Sequence, residues 1–91
     1  MADGGARLKD PHATLDYGVD WSAWLDADTI ESVAWSVPAG LTKTAESNTD
    51  TVAYVWLSGG TAGTTYQVVC RVTTAGGRTD DRTLELICKE R

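Results

Sequence analysis

The side chains with the widest chemical repertoire in this chain are His12, Cys70 and Cys88, together with two close carboxylate pairs, Asp26/Asp28 and Asp80/Asp81. Nucleophilic or hydrolytic chemistry needs a base titrating near neutrality and a partner that orients it. His12 is the single histidine and follows Pro11 in an N-terminal segment, so it reads as a surface residue without a role. Two cysteines without a second histidine make neither a zinc set nor an activated thiol. The carboxylate pairs offer oxygens to calcium, which needs six or more. Adjacent aspartates are also common in turns, where they bond their own backbone, and that is the reading adopted. No catalytic residue, cofactor or metal is assigned, and the chain is expected to be a non-enzyme.

The aromatic residues carry more information. Four Trp and three Tyr with no Phe is an unusual set for a plain core. Trp and Tyr join a large apolar body to a polar tip, which suits partly wet protein interfaces. Tyr54, Trp56, Trp21, Trp24 and Tyr17, with the acidic Asp80 and Asp81, form the candidate partner interface. Core is the competing reading for each aromatic, and the stronger one for Trp24. Trp35 is the expected central core aromatic. Tyr66, after a Gly-rich corner, is the expected structural hydroxyl clamp.

These residues must be positioned by strands. Residues 51–57, 64–74 and 79–89 alternate β-branched or aromatic residues with polar ones and are separated by Gly-rich breaks, the pattern of half-buried antiparallel strands. In the first of them Ala53, Val55 and Leu57 are placed inward and Tyr54 and Trp56 outward, because the opposite register would bury a Tyr hydroxyl. Upstream, residues 8–19 supply a first strand, with Asp10-Pro11 as a turn or edge signal. Asp20 caps a single helical turn that sets Trp21 and Trp24 three apart on one side. Residues 29–37 form a strand with Val33, Trp35 and Val37 inward, and residues 41–47 a weaker one. The count is six or seven strands in one domain, a small immunoglobulin- or fibronectin-III-like antiparallel β-sandwich over residues 8–91, preceded by a flexible arm at residues 1–7.

Length and charge narrow the partners. Ninety-one residues make one domain with one core. Thirteen acidic against eight basic residues, a net charge of −5, speak against nucleic acid, because phosphate contacts need clustered Lys and Arg. No apolar run approaches the ~20 residues of a membrane span, and the N-terminus lacks a signal-peptide layout. The expectation is no membrane partner and no secretion by that route. Placing Cys70 opposite Leu84, Val68 opposite Leu86 and Tyr66 opposite Cys88 in the last hairpin puts both cysteines on the core face, ~15 Å apart, beyond the ~7 Å reach of a disulfide. Free buried thiols suit assembly in a reducing cytoplasm.

The segments Val55-Trp-Leu-Ser-Gly-Gly-Thr-Ala-Gly-Thr-Thr-Tyr66 and Val72-Thr-Thr-Ala-Gly-Gly-Arg-Thr-Asp-Asp-Arg82 resemble a family of small immunoglobulin-like virion proteins of tailed bacteriophages, the phage fiber–tail adaptors. Leu8-Lys-Asp-Pro11, Leu15-Asp-Tyr-Gly18, Asp20-Trp-Ser-Ala-Trp-Leu25 and Trp35-Ser-Val-Pro-Ala-Gly-Leu41 fit the same pattern, so the resemblance spans nearly the whole chain. It implies a structural protein of the virion tail that docks fibers or appendages. Its partners would be tail, neck and fiber proteins, in multiple copies of a symmetric assembly put together in the host cytoplasm. The family carries no catalytic residues to transfer. Two alternatives stay open: a carbohydrate-binding β-sandwich module, in which exposed Trp and Tyr stack on sugars, and a phage head decoration or head–tail joining protein. A chain of 91 residues beginning at Met1 counts against the carbohydrate module, which usually belongs to a longer enzyme or adhesin.

Overall fold

Among the described residues, period-two alternation with Gly and Asp punctuation yields seven strands and one helical turn. A computed structural model of the chain describes residues 5–89. In chain order the elements are β1 (Gly5–Lys9), β2 (Leu15–Asp20), α1 (Ser22–Leu25), β3 (Ile30–Ser36), β4 (Leu41–Asn48), β5 (Val52–Gly59), β6 (Thr65–Thr74) and β7 (Thr79–Cys88). They form two sheets, ordered β1-β7-β6-β3 and β2-β5-β4, which enclose the core as an all-β sandwich.

The N-terminal region differs from expectation. The single strand expected over residues 8–19 is two strands, β1 and β2, which the turn at Pro11 sends to different sheets. β1 pairs with β7 in parallel, whereas the other ladders among the described residues are antiparallel. Residues 5–7, expected in a flexible arm, belong to this strand; residues 1–4 lie outside the described residues. Lys9 anchors the last residue of β1. Its side chain is buried, and its Nζ donates to the carbonyls of Gly59 at 2.6 Å, Ala13 at 2.7 Å and Asp10 at 3.0 Å. All three ammonium protons thus find acceptors, as a buried cation requires.

The last hairpin is tighter than the sequence suggested. Cys70 pairs with Arg82, Val68 with Leu84 and Tyr66 with Leu86, a shift of two residues. Thr74 N–H donates to Arg78 O at 2.8 Å, Gly77 N–H to Thr74 O at 3.0 Å, and Gly77 adopts φ +88°. This three-residue loop with a left-handed glycine closes the hairpin sooner. A shift of two keeps every side chain on its face, so the inward set survives. It also brings Arg71 opposite Asp81 rather than Thr83. The pair is bidentate on the solvent side, with Nε–Oδ1 at 2.7 Å and Nη2–Oδ2 at 3.1 Å.

Ala53, Val55 and Leu57 of β5 meet Val68, Cys70 and Val72 of β6 and Leu84 and Leu86 of β7 in the core, all fully buried. Trp35 is not its centre. Val33, Trp35 and Val37 pack against the core but stay half-buried, because β3 is a sheet edge that the facing sheet covers in part. The largest fully buried side chain is Trp21, which α1 folds back onto the sandwich. Tyr66 is the expected clamp: its hydroxyl accepts Thr61 N–H at 3.0 Å, tying the Gly-rich corner to β6.

Candidate docking surface

Two regions gather the aromatic residues. The first is the outer face of the β2-β5-β4 sheet. Tyr54 and Trp56 alternate with the buried Ala53, Val55 and Leu57, which turns both rings outward, where they are half-exposed. Their neighbours across the ladders are small or acidic: Gly18 and Ser47 beside Tyr54, Asp16 and Ala45 beside Trp56. The Tyr54 ring occupies the space above Gly18, where an added Cβ would come within 3.1 Å of Cδ1 and Cε1. Glycine in a strand costs backbone entropy, and here it leaves room for the ring to settle on the sheet. The result is an aromatic platform with an acidic margin from Asp16 and Asp20, both exposed.

The second region closes one end of the sandwich. Asp20 Oδ1 accepts Ser22 N–H at 2.9 Å and starts the turn that sets Trp21 and Trp24 edge to face, centroids 5.2 Å apart at 65°. Arg82 lies 4.3 Å from the Trp21 centroid and Arg78 4.4 Å from that of Trp24, so the two indoles are sandwiched between guanidinium groups. Arg82 Nη1 donates to Asp20 O at 2.7 Å. Arg78 donates to Leu25 O at 2.9 Å, Trp24 O at 3.3 Å and Asp28 Oδ2 at 3.2 Å. Asp28 also accepts Thr29 N–H at 2.9 Å and Gly76 N–H at 3.0 Å. The Thr74 hydroxyl first, then these backbone donors and Arg78, hold its carboxyl down at about 2. Burial pushes the neighbouring Cys70 thiol up to about 11, partly offset by the Trp21 side chain.

This geometry sorts the expected interface residues. Tyr54 and Trp56 share one accessible face, and Trp24 is half-buried under Arg78. Trp21 and Tyr17 are corrections: at 0% and 7% exposure they are core and present no surface to a partner. Tyr17 faces Val55, and burial raises its phenol above the usual tyrosine range. Asp81 is engaged by Arg71, and Asp80 Oδ1 accepts Asp81 N–H at 2.8 Å. Both serve the hairpin itself and lie on a different sheet from the platform. Arg78 and Arg82 escaped the sequence reading because their ring partners lie more than 50 residues away in the chain. Among the described residues no helix is long and apolar enough to cross a membrane.

Comparison with known proteins supports the same fold. A solved structure titled "Solution structure of the PKD domain from KIAA 1837 protein" is similar over 100% of this chain and 83% of its own, with a TM-score of 0.56 and 21% identity. At that identity the likeness concerns fold alone. No curated protein matches the chain. A family model described as podophage GP4 fiber-tail adaptor protein gp77 matches residues 9–87, which include every strand but β1 in nearly full length. The chain belongs to this family of podophage fiber–tail adaptors.

Proposed function

We propose that the domain docks onto a tail or neck protein through the outer face of the β2-β5-β4 sheet, with Tyr54 and Trp56 as anchors, and leaves the opposite sheet for a fiber or a neighbouring copy. Family membership supports a structural adaptor role in the phage tail. The observation that carries the choice of face is the Tyr54–Trp56 pair, turned outward by the register of β5 and seated beside Gly18 and Ala45. Rigid aromatic side chains of this kind dominate interface energy, individual truncations costing ~2 kcal/mol or more. The acidic margin would steer the domain to a basic patch. Assembly takes place in the host cytoplasm, and nucleic acid and membrane take no part in this role.

Binding of Trp56→Ala and Tyr54→Ala to isolated tails tests the proposal. Each should bind about 30-fold more weakly while keeping the native circular dichroism spectrum. Unchanged incorporation of both variants would overturn the choice of face. The same outward rings suit stacking on sugars, so a glycan array with the isolated domain is the companion experiment. Specific glycan binding lost in Trp56→Ala would favour a carbohydrate-binding module instead.

A further inference from the structure

β3 ends the four-stranded sheet, and among the described residues no strand lies beyond it. In an antiparallel ladder, successive residues point their N–H and C=O groups alternately to one neighbour and to the other. Thr74 N–H donates toward β7, to Arg78 O, whereas Ala75 N–H donates to Thr29 O at 3.0 Å. Along β6 the odd-numbered residues therefore turn their backbone groups toward β3. Arg71 and Val69 are such residues, and they pair with Ala34 and Ser36. Val33 and Trp35, which alternate with these two, aim their N–H and C=O groups out of the open edge. At the start of the strand the edge is occupied: Ile30 N–H donates to Asp50 O at 2.9 Å, beside the irregularity between Ile30 and Ser32. From Ser32 to Ser36 the register is regular, and residues 32–37 carry no charge in a chain of net charge −5.

The other open edges carry devices that discourage strand addition. β4 has a register shift between Lys43 and Ala45 and the Lys43–Glu46 ion pair. β2 carries Asp16 and Asp20, both exposed, and β1 carries Arg7. β1 covers β7 only from Leu84 to Cys88, and in the uncovered half Asp80 Oδ1 already takes up the Asp81 N–H at 2.8 Å. Residues 32–36 of β3 have no such guard.

We propose that two copies of this domain pair β3 to β3 about a two-fold axis normal to the sheet at Ala34, merging their four-stranded sheets into one. The contact rests on the reading that copies of the domain act side by side in the tail, and it identifies the surface between them. The two-fold makes the new pair antiparallel. It sets Val33 opposite Trp35 of the second copy and Trp35 opposite its Val33, the positions whose backbone groups face the edge, so each pair exchanges two hydrogen bonds. Side chains match on both faces. Outward, Ala34 meets Ala34 and Ser32 meets Ser36, all small enough for the ~4.5 Å Cα spacing of a non-hydrogen-bonded pair. Inward, Val33 and Trp35 are half-buried because the facing sheet covers β3 in part, and they meet as aromatic–β-branched pairs, which stabilise sheets. Glu31 falls opposite Val37, which holds the two like charges ~20 Å apart along the strands. A single short edge makes a small interface, which holds best when a tail protein gathers the copies.

Cysteine crosslinking of the full chain tests contact and register together. Under mild oxidation Ala34→Cys should give a disulfide-linked dimer, in concentrated solution, in assembled tails or in both, because Cα atoms ~4.5 Å apart lie within disulfide reach. Ser32→Cys and Ser36→Cys should crosslink when mixed, and neither should do so alone. Gln67→Cys, exposed on β6 one strand in from the edge, should stay monomeric. Cys70 and Cys88 are buried and stay out of the reaction. Absence of the Ala34→Cys dimer in both settings overturns the proposal, and loss of tail binding by Trp56→Ala would then leave the docking reading standing alone. A Gln67→Cys dimer of equal yield also overturns it, as the mark of random collision. So does a crosslink from Ala34→Cys to a fiber chain in place of a second copy. Conversely, Ala34→Cys dimers whose entry into tails is unaffected by Trp56→Ala would remove the docking reading and leave this contact standing.

Discussion

The guanidinium carbon of Arg82 stands 4.3 Å from the centroid of the Trp21 ring, and this pair shuts the end of the sandwich that α1 covers. Trp21 is fully buried, whereas Trp35 and Trp56 are half-buried. Trp21→Ala should therefore cost ~3–5 kcal/mol, the range for a buried aromatic replaced by alanine. Trp35→Ala should cost less, and Trp56→Ala the least. Urea melts of the three variants give the order, and a larger loss from Trp56 than from Trp21 would contradict the packing.

Tyr66 and Gly40 form a second coupled pair. Gly40 adopts φ +101°, and a Cβ there would meet the Tyr66 hydroxyl at 2.9 Å. Gly40→Ala should destabilise the domain through both backbone strain and the clash. Tyr66→Phe, which deprives Thr61 N–H of its acceptor, should cost ~0.5–1.5 kcal/mol. If thermal melts show Gly40→Ala unchanged, the corner is looser than this geometry requires.

The pH dependence has a defined direction. Asp28 titrates at about 2 in the folded chain, below the ~3.9 of an unfolded aspartate. The unfolded chain then binds the proton more readily, so the contribution of Asp28 is complete above about pH 4 and disappears as pH falls toward 2. Asp28→Asn should lower stability at neutral pH and flatten the decline between about pH 4 and 2. Denaturant midpoints measured across that interval check both parts.

The two thiols should be chemically silent in the native state. Both are buried, and burial raises the Cys70 thiol to about 11, which removes the reactive thiolate at neutral pH. Alkylation should modify neither residue in buffer and both in denaturant without reductant. A mass short by two hydrogens, the mark of a bridge, would contradict the separation of Cys70 and Cys88 on β6 and β7.

Strand periodicity made most of the fold legible. The facing of residues 52–57 followed from keeping a Tyr hydroxyl out of the core, and it holds in the structure. A register that differs by two residues in the last hairpin leaves every facing intact and changes only partners: Cys70 opposite Leu84 would set Arg71 against Thr83, where the structure pairs it with Asp81. Trp21 was misread for a different reason: it lies outside any alternating segment, so its burial depends on α1 and on Arg82 across the fold. Lys9 was equally hidden. A lysine reads as solvent-facing until its three carbonyl acceptors, one of them 50 residues away, are brought together in space. On the outer face of the β2-β5-β4 sheet, the outward facing of Tyr54 and Trp56 is legible from local pattern, but the space that Gly18 leaves for the Tyr54 ring is not.

The parallel pairing of β1 with β7 has a mechanical consequence. Tension applied at Gly5 and Cys88 pulls the two strands in opposite directions along their lengths, so the hydrogen bonds of the ladder are loaded together in shear. Were the two strands antiparallel, the same tension would unzip the ladder one bond at a time. Lys9, bonded to Gly59 on the facing sheet, adds a crosswise tether at the point where β1 would begin to slide. A domain strung between a tail and a fiber would thus resist stretching best along its own strand axis, and single-molecule pulling through positions 5 and 88 should require a higher force than pulling across the sheet.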